Sequence, residues 1–135
     1  MDGKGIYCSL NKSLWHTHTE DRLAFLFRDG TVQDYYIRRK GDEYSIGKMW
    51  KPQRYISEVN QIKWNFPFDD FFLNRKTLKL DIKDEKTGAS YQNILHKAIY
   101  DCEVFSNLNK LKKQLNIEVK RLQQIYDEKR SGNKI

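Results

Sequence analysis

The stretch LAFLFRDGTVQDYYIRR, Leu23–Arg39, decides how this chain is built. Leu23, Phe25 and Phe27 recur at a spacing of two, which puts them on one face of an extended strand. Asp29-Gly30 follows at once. A two-residue type I′ turn needs positive φ at both central positions, and Asp-Gly tolerates that better than almost any other pair. The return run Thr31–Arg39 carries Val32, Tyr35, Tyr36 and Ile37, the β-branched and aromatic side chains that suit a pleated surface. The stretch therefore reads as an antiparallel hairpin.

The same reading extends in both directions. Upstream, Gly5–Leu10 forms an opening strand. Downstream, Lys40-Gly41-Asp42 turns again, and Tyr44 and Ile46 alternate within Glu43–Lys48. Pro52 ends that run, and Arg54–Ser57 is a short strand. Ile62, Trp64, Phe66 and Phe68 alternate with Lys63, Asn65 and Pro67, where Pro67 caps the strand or marks an edge. Phe71–Leu73 is a short apolar run, with Asp69-Asp70 read as a loop before it. Asn74–Thr77 is a turn, and Leu78, Leu80 and Ile82 alternate with Lys79, Asp81 and Lys83. That pattern has one buried face and one wet face, as in antiparallel sheets. Asp84–Gly88 is a polar loop. Between Tyr91 and Phe105 both periods fit, and the reading adopted is an irregular segment followed by a strand over Ala98–Phe105.

The C-terminal segment changes period. Leu108, Leu111, Leu115, Leu122 and Ile125 form a helical stripe, with Val119 beside it and Glu118 interrupting it. Ser106 is the expected N-cap, and Ser131-Gly132-Asn133 the stop. The expected class is α+β: a small antiparallel β-barrel or strongly curved sheet of about eight strands, then one long C-terminal amphipathic helix. A chain of 135 residues fits one domain, with residues 1–105 as its body and 106–135 as its helix. Eighteen aromatic residues exclude a disordered chain, and no apolar run reaches the length of a membrane span.

Charge is distributed unevenly. The whole chain carries 25 Lys and Arg against 18 Asp and Glu. Residues 106–135 hold eight of those cations and three of those anions, so most of the excess belongs to the helix. An anionic surface, an acidic protein partner or a nucleic acid are the partners such a balance favours. Tyr35-Tyr36-Ile37-Arg38-Arg39-Lys40 interleaves rings with cations, as single-stranded nucleic-acid binders do. The contact candidates are Arg38, Arg39, Lys40, Lys113, Lys120 and Arg121.

Other constellations are sparse. His16, His18 and His96 are the only histidines and the only candidates for a zinc site. Asp69-Asp70 is a poor acid–base pair, because neighbours on an extended chain face opposite ways. No phosphate-binding glycine loop, nucleophile elbow or Cys-x-x-Cys occurs. Trp15, Trp50 and Trp64 either pack a core or line a ligand cavity. Cys8 and Cys102 are either bonded or two buried thiols.

Gly5-Ile-Tyr-Cys8, Leu26-Phe27 before Asp29-Gly30, Tyr44-Ser45-Ile46, Ile62-x-Trp64, Leu73–Leu80 and Tyr100-x-Cys102 occur in this order. Over residues 3–105 the series resembles small uncharacterised bacterial and phage proteins with a calycin or lipocalin-like barrel outline. The resemblance implies neither activity nor catalytic residues. It does imply that Cys8 and Cys102 lie on the first and last strands, neighbours in a closed barrel, and are disulfide-bonded. Such proteins often carry a signal peptide, whereas Met1–Gly5 has no apolar core of that kind. The compartment is therefore extracytoplasmic if Met1 replaces a removed leader, and cytoplasmic otherwise.

The expected function is that of a non-enzymatic binding or accessory protein without a cofactor, its basic helix carrying contacts to a protein or anionic partner. Nucleic-acid binding is the alternative, and a zinc-dependent hydrolase or lyase the third reading. The protein is expected as a monomer or a homodimer paired through the helix.

Overall fold

The Leu23–Arg39 hairpin forms two neighbouring strands of one antiparallel sheet, one strand in from its edge. A computed structural model describes residues 1–13, 20–67, 69–84 and 95–132. Its strands are β1 (Gly5–Ser13), β2 (Arg22–Arg28), β3 (Thr31–Lys40), β4 (Glu43–Gly47), β5 (Gln53–Arg54), β6 (Ile56–Ser57), β7 (Gln61–Phe66), β8 (Asp69–Asn74), β9 (Lys79–Asp84) and β10 (Leu95–Phe105). One helix follows, α1 (Leu108–Gly132). Every pairing is antiparallel, in the order β4-β3-β2-β1-β10-β9-β8-β7-β6. Asp29 and Gly30 both have positive φ (52° and 72°), the geometry that a type I′ turn demands.

The sheet curls strongly. Its two ends are bridged by one short stretch, because β5 pairs with β3 (Thr31 opposite Arg54) and β6 pairs with β7 (Ser57 opposite Ile62). The first and last strands, β1 and β10, are neighbours, with Cys8 directly opposite Cys102. These two cysteines form a disulfide across a sequence separation of 94 residues.

Alternation sorts side chains between two cores. Ile6, Phe25, Phe27, Ile62, Trp64 and Leu80 point inward and fill the curl. Tyr7, Ala24, Leu26 and Tyr35 point outward and meet Leu111 and Leu115 of the helix. Strand β2 is buried on both faces, which is why its sequence is continuously apolar rather than alternating. Each fully buried large side chain contributes about 1.5–3 kcal/mol, so both cores matter to stability.

The helix lies on the outer face of the sheet. Gly5 permits its close approach: a Cβ there would meet Leu111 Cδ2 at 2.7 Å. The helix also covers the exposed edge of β4, where Gln123 accepts from Tyr44 N (2.8 Å) and donates to the Asp42 carbonyl (2.8 Å). Covering an open strand edge protects it from pairing with another chain. Glu118, the break in the apolar stripe, is buried beside Tyr7, whose hydroxyl donates to it at 3.4 Å. The Arg121 guanidinium hydrogen-bonds Glu118 and holds its carboxyl below the usual carboxylate range, against the opposing effect of burial.

Four details correct the sequence reading. The helix is capped by Asn107, not Ser106: Asn107 Oδ1 accepts from Lys110 N at 2.9 Å. Asp69 and Asp70 begin β8 instead of forming a loop, and stand opposite Phe66 and Asn65. Leu78 lies outside β9, with φ 57°, because the Asn74 side chain closes a turn by accepting from Lys76 N and Thr77 N. The single strand expected over 54–57 is divided at Tyr55 between two partners.

Candidate functional site

The two ends of the curl are finished differently. At one end the N-terminus crosses over the β2–β3 turn. Gly3 N donates to the Phe27 carbonyl (2.7 Å), and Phe27 N donates to the Lys4 carbonyl (2.9 Å). Asp2 accepts from Gly30 N (3.1 Å) and from the Tyr55 hydroxyl. Inside this end, Phe27 meets Tyr55 and Trp64 edge-on at 5.1 and 5.4 Å between ring centres. The rings fill the space.

At the other end they do not. A cavity of about 310 Å³ opens between the strands. Its apolar wall is made by Phe25, Phe66, Phe71, Ile82, Ala98 and Trp50. Trp64 lies behind this wall, stacked on Phe71 at 5.4 Å and edge-on to Phe25 at 5.1 Å. The Trp64 indole N–H is buried with no oxygen or nitrogen acceptor among the described residues.

Polar groups at the cavity come from four places. Asp34, on the inward face of β3, is buried. Its Oδ1 accepts from Trp50 N (3.1 Å) and Gln33 Nε2 (2.9 Å), and its Oδ2 from Met49 N (3.2 Å). Gln33 Nε2 also donates to the Trp50 carbonyl at 2.9 Å. Asp34 thus ties the connection after β4 back to β3 and sets Trp50 at the cavity. Glu20 and Asp69 also line it. The Tyr100 hydroxyl donates to the Glu20 carbonyl at 2.6 Å. Burial pushes the ionisation of Tyr100 upward, and the negative charges of Glu20, Asp21 and Asp69 push it the same way.

The residues singled out from sequence fall in several places. Trp50 lines the cavity and Trp64 stands behind it, while Trp15 lies outside the described residues. His16 and His18 also lie outside them, as does the side chain of His96, so the zinc reading has no geometry here.

The two basic segments do meet. Arg39 donates to the Tyr126 hydroxyl (3.2 Å), and its guanidinium stands 4.7 Å from the ring centre. Acids share this contact: Asp42 accepts from Tyr126 and pairs with Arg130 at 3.0 Å. Arg38 reaches Tyr36, and Lys40 is exposed at the turn. Arg121 is engaged by Glu118, whereas Lys113 and Lys120 are exposed on the outer side of the helix. Leu111 and Leu115 are buried against the chain's own sheet, so that part of the stripe is not open for pairing with a second copy. Among the described residues no helix is long and apolar enough to cross a membrane.

The sequence reading missed Asp34, Glu20 and Tyr100. Asp34 carried a signal: it is a charged residue among Val32, Tyr35 and Tyr36 on a strand. A lone buried carboxylate is costly unless several donors converge on it, as they do here. No protein-family model, curated protein or solved structure matches this chain.

Proposed function

We propose that this is a non-enzymatic binding protein that holds a small, largely apolar molecule inside the curl of its sheet. The observation that carries this reading is the cavity of about 310 Å³ walled by Phe25, Phe66, Phe71 and Trp50. Ligand sites are typically concave, mostly apolar and furnished with a few oriented polar groups. Asp34 supports the reading, because a buried carboxylate held by three donors pre-positions Trp50 at the opening. The resemblance to calycin-like barrels belongs to the same proposal. The Cys8–Cys102 bond supports residence in an oxidising compartment, where disulfides persist.

Titration with benzene, followed by amide chemical shifts, tests the proposal. Benzene enters apolar cavities of about half this volume. Shifts should concentrate at Phe66, Phe71, Ala98 and Trp50, and Ala98→Leu should suppress them by filling the space. A protein that keeps its fold and shows no saturable shifts has no such binding site.

The second reading is contact with a nucleic acid or another polyanion. It is supported by Lys110, Lys112 and Lys113, which lie in the first half of the helix with no acidic residue in its first turn. Arg38, Arg39, Lys40, Lys120 and Arg121 belong to the same surface reading. Retention on single-stranded DNA or RNA should then fall steeply as salt rises. No retention at low salt removes this reading.

A further inference from the structure

The closed end of the curl presents a second surface, separate from the cavity. It is built by Met1–Lys4, the β2–β3 turn at Arg28–Gly30, residues 53–63, and the β8–β9 turn over 74–78, all of them described. Hydrogen bonds join these pieces. Tyr55 N donates to the Gly30 carbonyl (3.3 Å), and Arg75 N donates to the Asn60 carbonyl (2.9 Å).

Val59 stands at the tip of the β6–β7 turn and is 91% exposed. The turn that holds it there is firmly made. Glu58 N donates to the Gln61 carbonyl at 2.8 Å. From the neighbouring turn, the Arg75 guanidinium donates to Ser57 Oγ (2.6 Å) and to the Glu58 carbonyl (3.1 Å). Ile56, on the same hairpin, is 57% exposed. Lys4, Arg28, Arg54, Arg75 and Lys76 are exposed on the same segments. Among the described residues no carboxylate forms an ion pair with any of the five, and Arg75 donates to neutral oxygens. With Lys63, these segments hold six Lys and Arg against Asp2, Asp29 and Glu58. Glu58 is offset by Lys63 at 2.9 Å. The β10–α1 connection at Ser106-Asn107 adds no charge.

We infer that this end docks on an anionic lipid surface. Val59 enters the boundary between headgroups and acyl chains, Ile56 follows at its edge, and the cations meet the lipid phosphates. The chain rests on such a surface and does not span it. Binding of this kind scales with the apolar area buried plus the attraction of basic groups to anionic lipid. The two contributions are brought together here by adjoining turns.

The aliphatic character of the tip favours lipid over nucleic acid. Single strands are held by bases stacked on exposed rings. The rings at this end, Phe27, Tyr55 and Trp64, are packed edge-on against one another inside the curl. Valine and isoleucine gain little from a sugar–phosphate backbone, whereas transfer to an acyl boundary removes their apolar surface from water.

The test is cosedimentation of the full chain with vesicles at low salt. One set is phosphatidylcholine alone, and the other contains about a third phosphatidylglycerol. Binding should be strong on the anionic set and weak on the neutral one. Val59→Ser should lower partitioning about tenfold, the equivalent of one valine left in water, and Ile56→Ser should lower it less. Arg28→Gln/Lys76→Gln should lower it about fivefold per charge. All these side chains are exposed, so the melting temperature should stay that of the parent chain. No vesicle binding, or equal binding to both sets, overturns the inference. So does a Val59→Ser chain that binds like the parent, because the surface then reads charge alone. Binding to single-stranded DNA that needs Arg28 and Lys76, without vesicle binding, replaces lipid by nucleic acid. Each of these outcomes leaves the cavity reading untouched, since benzene is titrated at the other end.

Discussion

The same strands build both ends of the curled sheet, yet the ends differ in almost every property. At the closed end Phe27, Trp64 and Tyr55 interlock, and the N-terminal residues Met1–Lys4 cross above them. At the open end Phe66 and Phe71 meet edge-on at 5.7 Å and, with Trp50, wall a cavity whose described lining includes the carboxylates Glu20, Asp34 and Asp69. The difference is one of volume and charge rather than of backbone. A core packed to native density gains dispersion contacts and rigidity. A core left unfilled forgoes them and keeps a place for a ligand. On the proposed binding reading, stability and binding fall to opposite ends of one sheet, with the Cys8–Cys102 bond between them.

The largest test of this comparison is the bond itself. Cys8→Ser/Cys102→Ser releases a loop of 94 residues and should destabilise the fold by about 4–5 kcal/mol in the chain-entropy account. Denaturant unfolding of the oxidised and substituted proteins measures it. A loss under about 1 kcal/mol would mean that β1 and β10 are held together by their ladder alone.

Next comes a matched pair of truncations. Phe27→Ala, at a site with 0% exposure, should cost about 3–5 kcal/mol, because tightly packed neighbours relax little into the hole. Tyr36→Ala, at the open end, should cost clearly less while altering benzene binding in the cavity. Equal costs at the two sites would erase the distinction between a packed end and a binding end.

Gly5→Ala examines the outer core. The added methyl group must push Leu111 aside, at an expected cost of about 1–3 kcal/mol. Ligand binding inside the curl should be unaffected, since the helix docks on the other face. Loss of binding would show that the helix sets the shape of the cavity.

The smallest expected effect concerns pH. The Tyr55 hydroxyl, and then Gly30 N, hold the Asp2 carboxyl below its ordinary 3.8. A depressed carboxylate contributes its full stabilisation above the ordinary value and loses it as pH falls from there through the lowered one. Asp2→Asn should therefore lower thermal stability slightly at neutral pH, with the gap shrinking below 3.8 and closing only once the pH is under the depressed value. A gap that persists at low pH would assign the effect to altered packing instead of charge.

Strand positions, turn chemistry and the helix were legible in the sequence because their causes are local. Period-two alternation marked β7 and β9, and Asp29-Gly30 marked the turn, since only a few residue types tolerate its positive φ. The apolar stripe at Leu111 and Leu115 marked a face to be covered, by the sheet or by a second helix, and it is the sheet that buries it. Errors arose where a side chain could serve a local or a distant partner. Ser106 and Asn107 are both good caps, and it is the Asn107 side chain that accepts from Lys110 N. Asp69 read as a loop residue between two apolar runs, but it begins a strand at the rim of a cavity. Glu118 read as a flaw in the stripe, and it is matched by Tyr7 from 111 residues earlier.

By itself, then, the sequence determined which segments extend, where they turn, that a helix closes the chain and that its charge is basic. Tertiary structure decided that Cys8 and Cys102 are bonded rather than two separate thiols, that the described residues fill one end of the curl and leave a cavity at the other, and that the charged side chains they bring to that cavity are carboxylates. The reason is physical. Backbone preference and amphipathic period act over a few residues, whereas cavity volume and local field are sums over strands that meet only when the sheet curls.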